Sequence, residues 1–289
     1  MRTANVSGRL TIVPTTIATV VDGAVVRGVD VERASAGRFG SDPQAIFAEW
    51  DRFSAWAQDV SLSDADVVIR PDDLGPVAPR PTQVFAIGLN YAEHAAESNL
   101  VTPSFPPTFT KFPTCLAGPN SSVRLPPGSV DWEVELVVVI GRRARLVDRE
   151  GAWEHIAGVT VGQDISERDL QMIGAAPQFS LAKSFPCFGP IGPALVTIDE
   201  LADPDDLAIR CWIDGQRVQS ARTSMMVFDV PALIAHLSSV LTLLPGDVIF
   251  TGTPSGVGMG RKPKRFLQPG EVIESEIEGI GRLRNVTTA

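Results

Sequence analysis

The sequence is short of cysteine, of positive charge and of long apolar runs, and each shortage closes a class of function. Cys115, Cys187 and Cys211 are the only cysteines in 289 residues, and they stand far apart. They make neither a disulfide framework nor a paired-thiolate metal motif, so three isolated thiols in a reducing cytoplasm are expected. No 18-residue apolar stretch occurs, and residues 1–10 lack the apolar segment of a secretory signal. A membrane span is therefore not expected. Lys and Arg number 25 against 34 Asp and Glu, giving a net charge of −9. A nucleic-acid partner is not expected either, because neutralising phosphates takes a basic footprint. The one dense basic run, Arg261-Lys262-Pro263-Lys264-Arg265, reads as a solvated loop or as a loop that attracts an anionic substrate. Nucleophilic-hydrolase signals are missing too, since there is no G-x-S-x-G elbow. The glycines of 252–260 have no G-K-[ST] after them, which excludes a P-loop.

What is present is an ordinary globular composition, 44% apolar and 20% charged. The length suits one large domain with a small one appended. Residues 1–75 read as a small N-terminal α+β module. Within it, residues 16–28 resemble two β-prone runs around Asp22-Gly23, a hairpin signal. Residues 43–58 repeat Ile46, Phe47, Trp50, Phe53 and Trp56 at helical spacing, with Asp42 as cap and Pro43 at the first position. Four prolines in 71–81 mark a linker. The remainder, 76–289, alternates strand-like runs (83–87, 134–140, 158–163, 208–213, 248–251 and 272–286) with Pro and Gly turns. Helices are expected only near 91–98, 167–173 and 231–241. Long helices do not interleave the strands, so the expected class is mixed α/β, β-rich, rather than a wound βαβ fold.

Four segments carry chemistry. In Asp131-Trp132-Glu133-Val134-Glu135, residues two apart on a strand share a face, so Glu133 and Glu135 project together just ahead of a continuously apolar run. Crowded, desolvated carboxylates either take up a proton or hold a cation. A surface Glu-x-Glu pair is the plain alternative. Asp164, ending the 158–163 run, is a third candidate ligand. Three oxygen donors favour a hard ion, Mg²⁺ first, then Mn²⁺ or Ca²⁺. In 88–97, His94 and Glu97 lie one helical turn apart, as a general base and its orienting carboxylate do, or as an inert surface pair. Lys183 and Lys111, each in an apolar setting, bind a substrate anion or form a structural ion pair. Glycines in 252–260 let backbone N–H groups approach a ligand, or only make a tight connection.

Six segments stand in order over about 170 residues: GLNYAEHAAE (88–97), FTKF (109–112), DWEVELVVVIGRRAR (131–145), GQDISERDLQ (162–171), LAKSFPCFGPIGP (181–193) and LLPGDVIFTGTPSGVG (243–258). Together they resemble the fumarylacetoacetate hydrolase (FAH) family. The resemblance implies an FAH-type β-roll catalytic domain, a homodimer, and a divalent metal held by Glu133, Glu135 and Asp164. It gives Lys183 a contact with substrate or with the developing anion, and puts His94 and Glu97 on a lid. Tyr91, Lys111, Arg168, Gln171 and Thr253 become the substrate-binding candidates. Leu89 departs from some decarboxylating members, which place a basic residue there. The expected activity is metal-dependent hydrolysis of a C–C bond in a small 1,3-diketo, acylpyruvate-like acid through an enolate. The alternatives are decarboxylation of an oxaloacetate-type β-keto acid, isomerisation of an enol or diene acid, and ligand binding without turnover.

Overall fold

The computed structural model of the protein describes residues 1–98 and 100–289, with every side chain there except that of Val21. Its centre is the strand Val134–Ile140, buried along its whole length. Period-two geometry sends its residues alternately to two cores. Leu136, Val138 and Ile140 pack with Ile209, Ile213, Ile273 and Leu283 of a five-stranded sheet. Val137 and Val139 pack with Phe47, Trp50 and Phe53 of the N-terminal segment. Covering on both faces is why this run reads as unbroken apolar sequence rather than as alternation. Each fully buried Val or Ile contributes on the order of 1.5–3 kcal/mol.

The central strand lies antiparallel to Ile156–Gln163 on one side and to Val248–Phe250 on the other. Val248–Phe250 then pairs parallel with Val84–Ile87. Gly189–Val196 extends the sheet beyond Ile156–Gln163, and Arg2–Val6 pairs with it, Arg2 opposite Val196. The N-terminal strands thus continue the same sheet, whose path ends at Val67–Ile69. Leu74–Gly75, inside the proline-rich stretch, pairs with Arg2–Val6.

Three expectations change. Residues 16–28 are not a hairpin: Thr15–Asp22 is a 3-10 helix, and only Val26–Asp30 is a strand. Ile17 and Val20, three apart, are both fully buried, and Gly23 closes the turn at φ 89°. The Asp-Gly pair supplies the left-handed residue of a helix end, the same backbone need that makes it a hairpin signal. The 43–58 helix begins later, as a 3-10 segment, Ala45–Glu49, before the α-helix Trp50–Ala57; Gln44 is its N-cap, so Pro43 lies ahead of the first helical position and Asp42, accepting from Gln44 N at 2.9 Å, braces the turn before it. The 272–286 run is two antiparallel strands, Val272–Ile277 and Gly281–Thr288. The Ile/Glu alternation runs straight through the turn at Glu278-Gly279, so period alone does not reveal it. The helices expected near 91–98, 167–173 and 231–241 stand at Ala92–Glu97, Arg168–Gln171 and Val230–Val240.

Candidate active site

Strand pairing assembles the acidic cluster. Glu133 stands one residue ahead of Val134–Ile140, and Asp164 one residue past Ile156–Gln163. Because Val134 pairs with Gln163, the two acids meet at the same end of the ladder, where Asp164 N donates to the Glu133 carbonyl at 2.9 Å. Glu135 sits opposite Gly162, where a Cβ would meet Val137 at 2.4 Å. The Gln163 carboxamide accepts from Glu133 N at 2.8 Å and donates to Ser275 at 2.8 Å, tying this end to the second sheet. Carboxylate oxygens of Glu133, Glu135 and Asp164 lie within 4.8 Å of one another, and all three side chains are buried.

Cations from distant segments converge on two of the three. Lys183 Nζ donates to Glu133 Oε2 and Asp164 Oδ2, both at 2.6 Å. Arg168 donates to Glu133 Oε1 at 2.7 Å, to Asp131 Oδ2 at 2.9 Å and to the Gln171 side-chain Oε1 at 2.9 Å. Lys111 donates to Asp164 Oδ1 at 2.7 Å and to the carbonyls of Lys183 and Phe188. Glu135 has no ion-pair partner among the described residues and accepts one bond, from Gly252 N at 2.7 Å. The titration of the pair follows. Burial opposes charge on Glu133, but Lys183 and Arg168 outweigh it and hold the carboxyl down at about 2. Burial, and then the charges of Asp164 and Glu133, push Glu135 well above the carboxylate range. Burial also works against charge on Lys183, yet Asp164 and Glu133 raise its pKa. Three clustered oxygen donors, one of them without a cation, fit a hard divalent ion.

On the facing helix Ala92–Glu97, His94 Nδ1 donates to Glu97 Oε1 at 2.8 Å. That bond fixes the ring and leaves Nε2 free for a ligand. Asn90 anchors the start of this segment, donating to Phe228 O and Thr251 O at 2.9 and 2.7 Å and accepting from Phe228 N at 2.8 Å. Leu89 is thereby held at φ 53°, a left-handed backbone that leucine rarely adopts. A cavity of about 300 Å³ lies between the helix and the cluster, which reaches its lining through Glu133, with Glu135 and Asp164 set behind. His94, Glu133, Arg168, Gln171, Lys183 and Thr253 give it a polar floor, and Leu89, Phe109, Met172 and Phe179 an apolar wall.

Two substrate-binding candidates sit elsewhere. Lys111 does not line the cavity: it lies behind Asp164 with its donors spent. Tyr91 is also off the lining; its hydroxyl is buried without a partner among the described residues, and burial, followed by the charge of Glu135, raises its pKa. Thr253 lines the cavity while donating to Val134 O at 2.9 Å and accepting from Gln219 at 2.8 Å. Sequence reasoning passed over Asp131, Gln163 and Gln219. Asp131 carried a signal, since it shares the period-two face of Glu133 and Glu135; the two glutamines carried none. Replacing Lys111 by Met should cost about 3–5 kcal/mol, because Asp164 and two carbonyls lose a buried partner. Urea unfolding of the variant measures this, and an unchanged midpoint would remove Lys111 from the framework.

Residues 83–288 match the family model described as fumarylacetoacetate (FAA) hydrolase C-terminal. A mitochondrial oxaloacetate tautomerase of Bos taurus is 47% identical over 214 residues, 73% of this chain and 68% of that one. The crystal structure of an HpcE-designated protein from Mycobacterium smegmatis superposes with TM-score 0.92 at 52% identity, covering 100% and 99% of the two chains. That of a maleylpyruvate hydrolase from Sphingobium sp. SYK-6, in complex with manganese(II) and pyruvate, superposes with TM-score 0.78 at 27% identity, covering 100% and 99%. The β-rich architecture and the ordered motifs are those of these relatives, and the chain belongs to the fumarylacetoacetate hydrolase family of enzymes.

Proposed function

We propose that the site enolises a small 2-oxo acid, and that keto–enol tautomerisation of an oxaloacetate-type acid is its reaction. The observation that carries this is His94, held by Glu97, sharing one cavity with Glu133 of the buried carboxylate cluster. The bovine relative's name supports the choice of reaction over the expected C–C hydrolysis. Glu133, Glu135 and Asp164 would hold a divalent ion, Mg²⁺ or Mn²⁺, which supplies a Lewis acid for the keto oxygen. His94 Nε2 takes a proton from the carbon next to the keto group and returns one to oxygen, so a C–H bond becomes an O–H bond and atoms balance. Glu97 fixes the ring for both transfers. Lys183 and Arg168 offset negative charge on the polar floor as it grows on the ligand. The apolar wall excludes water from the proton's path.

Hydrolysis of an acylpyruvate-type 1,3-diketo acid is the second reading, favoured by that same apolar wall, which suits an acyl chain. There His94 takes its proton from water, the hydroxide adds to the distal carbonyl, and the carbon–carbon bond breaks to release an enolate. One panel separates the readings: oxaloacetate, acylpyruvates and hydroxy-dienoates with Mg²⁺ or Mn²⁺ against a chelator, products followed by NMR. Enol–keto exchange of oxaloacetate above the spontaneous rate supports the first. Two carboxylic fragments from acylpyruvates replace it with the second, and tight binding without turnover removes both. In His94→Gln, kcat is expected to fall roughly 10²–10⁴-fold with metal binding kept; parent-like turnover would take His94 out of the chemistry.

The same proposal assigns the chemistry to residues 76–289 and leaves residues 1–75, which supply none of these side chains, as an appended module. It takes the chain as a homodimer in the cytoplasm, where Cys115, Cys187 and Cys211 stay free thiols. The bovine relative's name places that protein in mitochondria. Among the described residues no helix is long and apolar enough to cross a membrane.

A further inference from the structure

The loop from Gly256 to Gly260 carries no group that does chemistry, yet carboxylates of the site grip it at its start and in its middle. Asp131 is fully buried beneath it. Its Oδ1 accepts from Gly258 N at 2.6 Å and Trp132 N at 2.8 Å. Its Oδ2 accepts from Met259 N and from Arg168 Nε, each at 2.9 Å. At the other end, Gly256 N donates to Glu97 Oε2 at 2.9 Å, while Oε1 of the same carboxylate holds His94. Gly260 presses on Glu97 so closely that a Cβ there would stand 2.8 Å from Cδ and Oε2. Gly258 has no slack either, since a Cβ would come within 1.8 Å of the Arg265 carbonyl. Met259, between them, lines the cavity.

We propose that Asp131 is a positioning residue: through the 256–260 loop it sets Glu97, and so the ring of His94, while it directly braces Arg168 against Glu133. This rests on reading His94 and Glu97 as the acid–base pair. Glu97 divides its two oxygens between the ring and the loop, so the loop's place decides where the ring points. Glycine at 256, 258 and 260 lets the backbone lie flat between two carboxylates. A ligand that presses on Met259 therefore meets a segment already held at Gly256, Gly258 and Met259, one that cannot give without moving the base.

The test is a double-mutant cycle on the metal-loaded full chain with Gly260→Ala and Glu97→Gln, and Asp131→Asn alongside. Gly260→Ala pushes the Glu97 carboxylate away without touching the acidic cluster, and kcat should fall about 10–100-fold with KM within about threefold. Added to Glu97→Gln, the same change should cost less than about threefold, because the loop acts through that side chain. Independent, multiplicative losses overturn the proposal. A second readout needs no turnover and so stands apart from the reaction assigned above. The chain has three histidines, so the His94 ring nitrogens are separable by long-range ¹H–¹⁵N NMR, with His155 and His236 as internal controls. Gly260→Ala and Asp131→Asn should move the His94 signals alone. Unmoved His94 signals in folded protein overturn the proposal, and if Asp131→Asn fails to fold, Asp131→Glu, which keeps the charge and shifts the loop, takes its place in the same measurement.

Discussion

Replacing Glu135 by glutamine should abolish turnover and, in the same molecule, stabilise the metal-free fold. The two effects have one cause. Lys183, Arg168 and Lys111 neutralise Glu133 and Asp164, but among the described residues Glu135 has only the Gly252 N–H, and burial with two neighbouring charges drives its pKa up. Glutamine keeps the volume and the oxygen facing Gly252 while removing the charge and the ion's third ligand. Losing several kcal/mol of Lewis-acid stabilisation corresponds to a drop in kcat of about 10³-fold or more. Above neutral pH the metal-free variant should unfold later than the metal-free parent, because an uncompensated buried charge is gone. Steady-state kinetics with excess Mn²⁺ and thermal unfolding with chelator read the two halves. Parent-like turnover removes the metal cluster from the mechanism. An unstable metal-free variant says that Glu135 is held by something other than a cation.

The cluster itself was legible, because period-two geometry and carboxylate chemistry are both local. Its electrostatics were not. The sequence presents three crowded acids, and the expectation that all three need a cation follows from them alone. Lys183 and Arg168 reach Glu133 from 50 and 35 positions away, and Lys111 reaches Asp164 from 53, so only folding reveals that two acids already have partners. The demand for an ion narrows to Glu135. The misread segments share another cause. Asp22-Gly23 and the 272–286 alternation are signals that two structures satisfy, and what decided between them was burial: Ile17 and Val20 from one segment and Ile273, Ile277 and Leu283 from the other enter the same core. Asp131 was visible as a residue but not as a hub, since its partners Gly258, Met259 and Arg168 are brought to it by two other segments.

The metal-free protein should lose stability as pH rises, and a divalent ion should reverse that trend. Glu135 has a folded pKa well above its unfolded 4.5. The stability linked to it is therefore fully present below pH 4.5 and lost as pH climbs through the raised value. Glu133 works in the opposite sense: with a folded value of about 2 against 4.5 unfolded, its contribution is present above pH 4.5 and lost as pH falls toward 2. The chelated protein is thus expected to be most stable in a mildly acidic window. An ion must displace the Glu135 proton, so binding releases about one proton and tightens with pH. At about 100 times its dissociation constant the ion adds about 2.7 kcal/mol, which for a chain of this size is a rise in Tm of about 4–5 °C. Thermal unfolding from pH 5 to 9, with chelator and with Mg²⁺, gives the two curves, and calorimetry in buffers of different ionisation enthalpy counts the proton. Parallel curves, or binding with no proton released, would mean that Glu135 is already ionised in the empty site and that its charge is balanced by the protein alone.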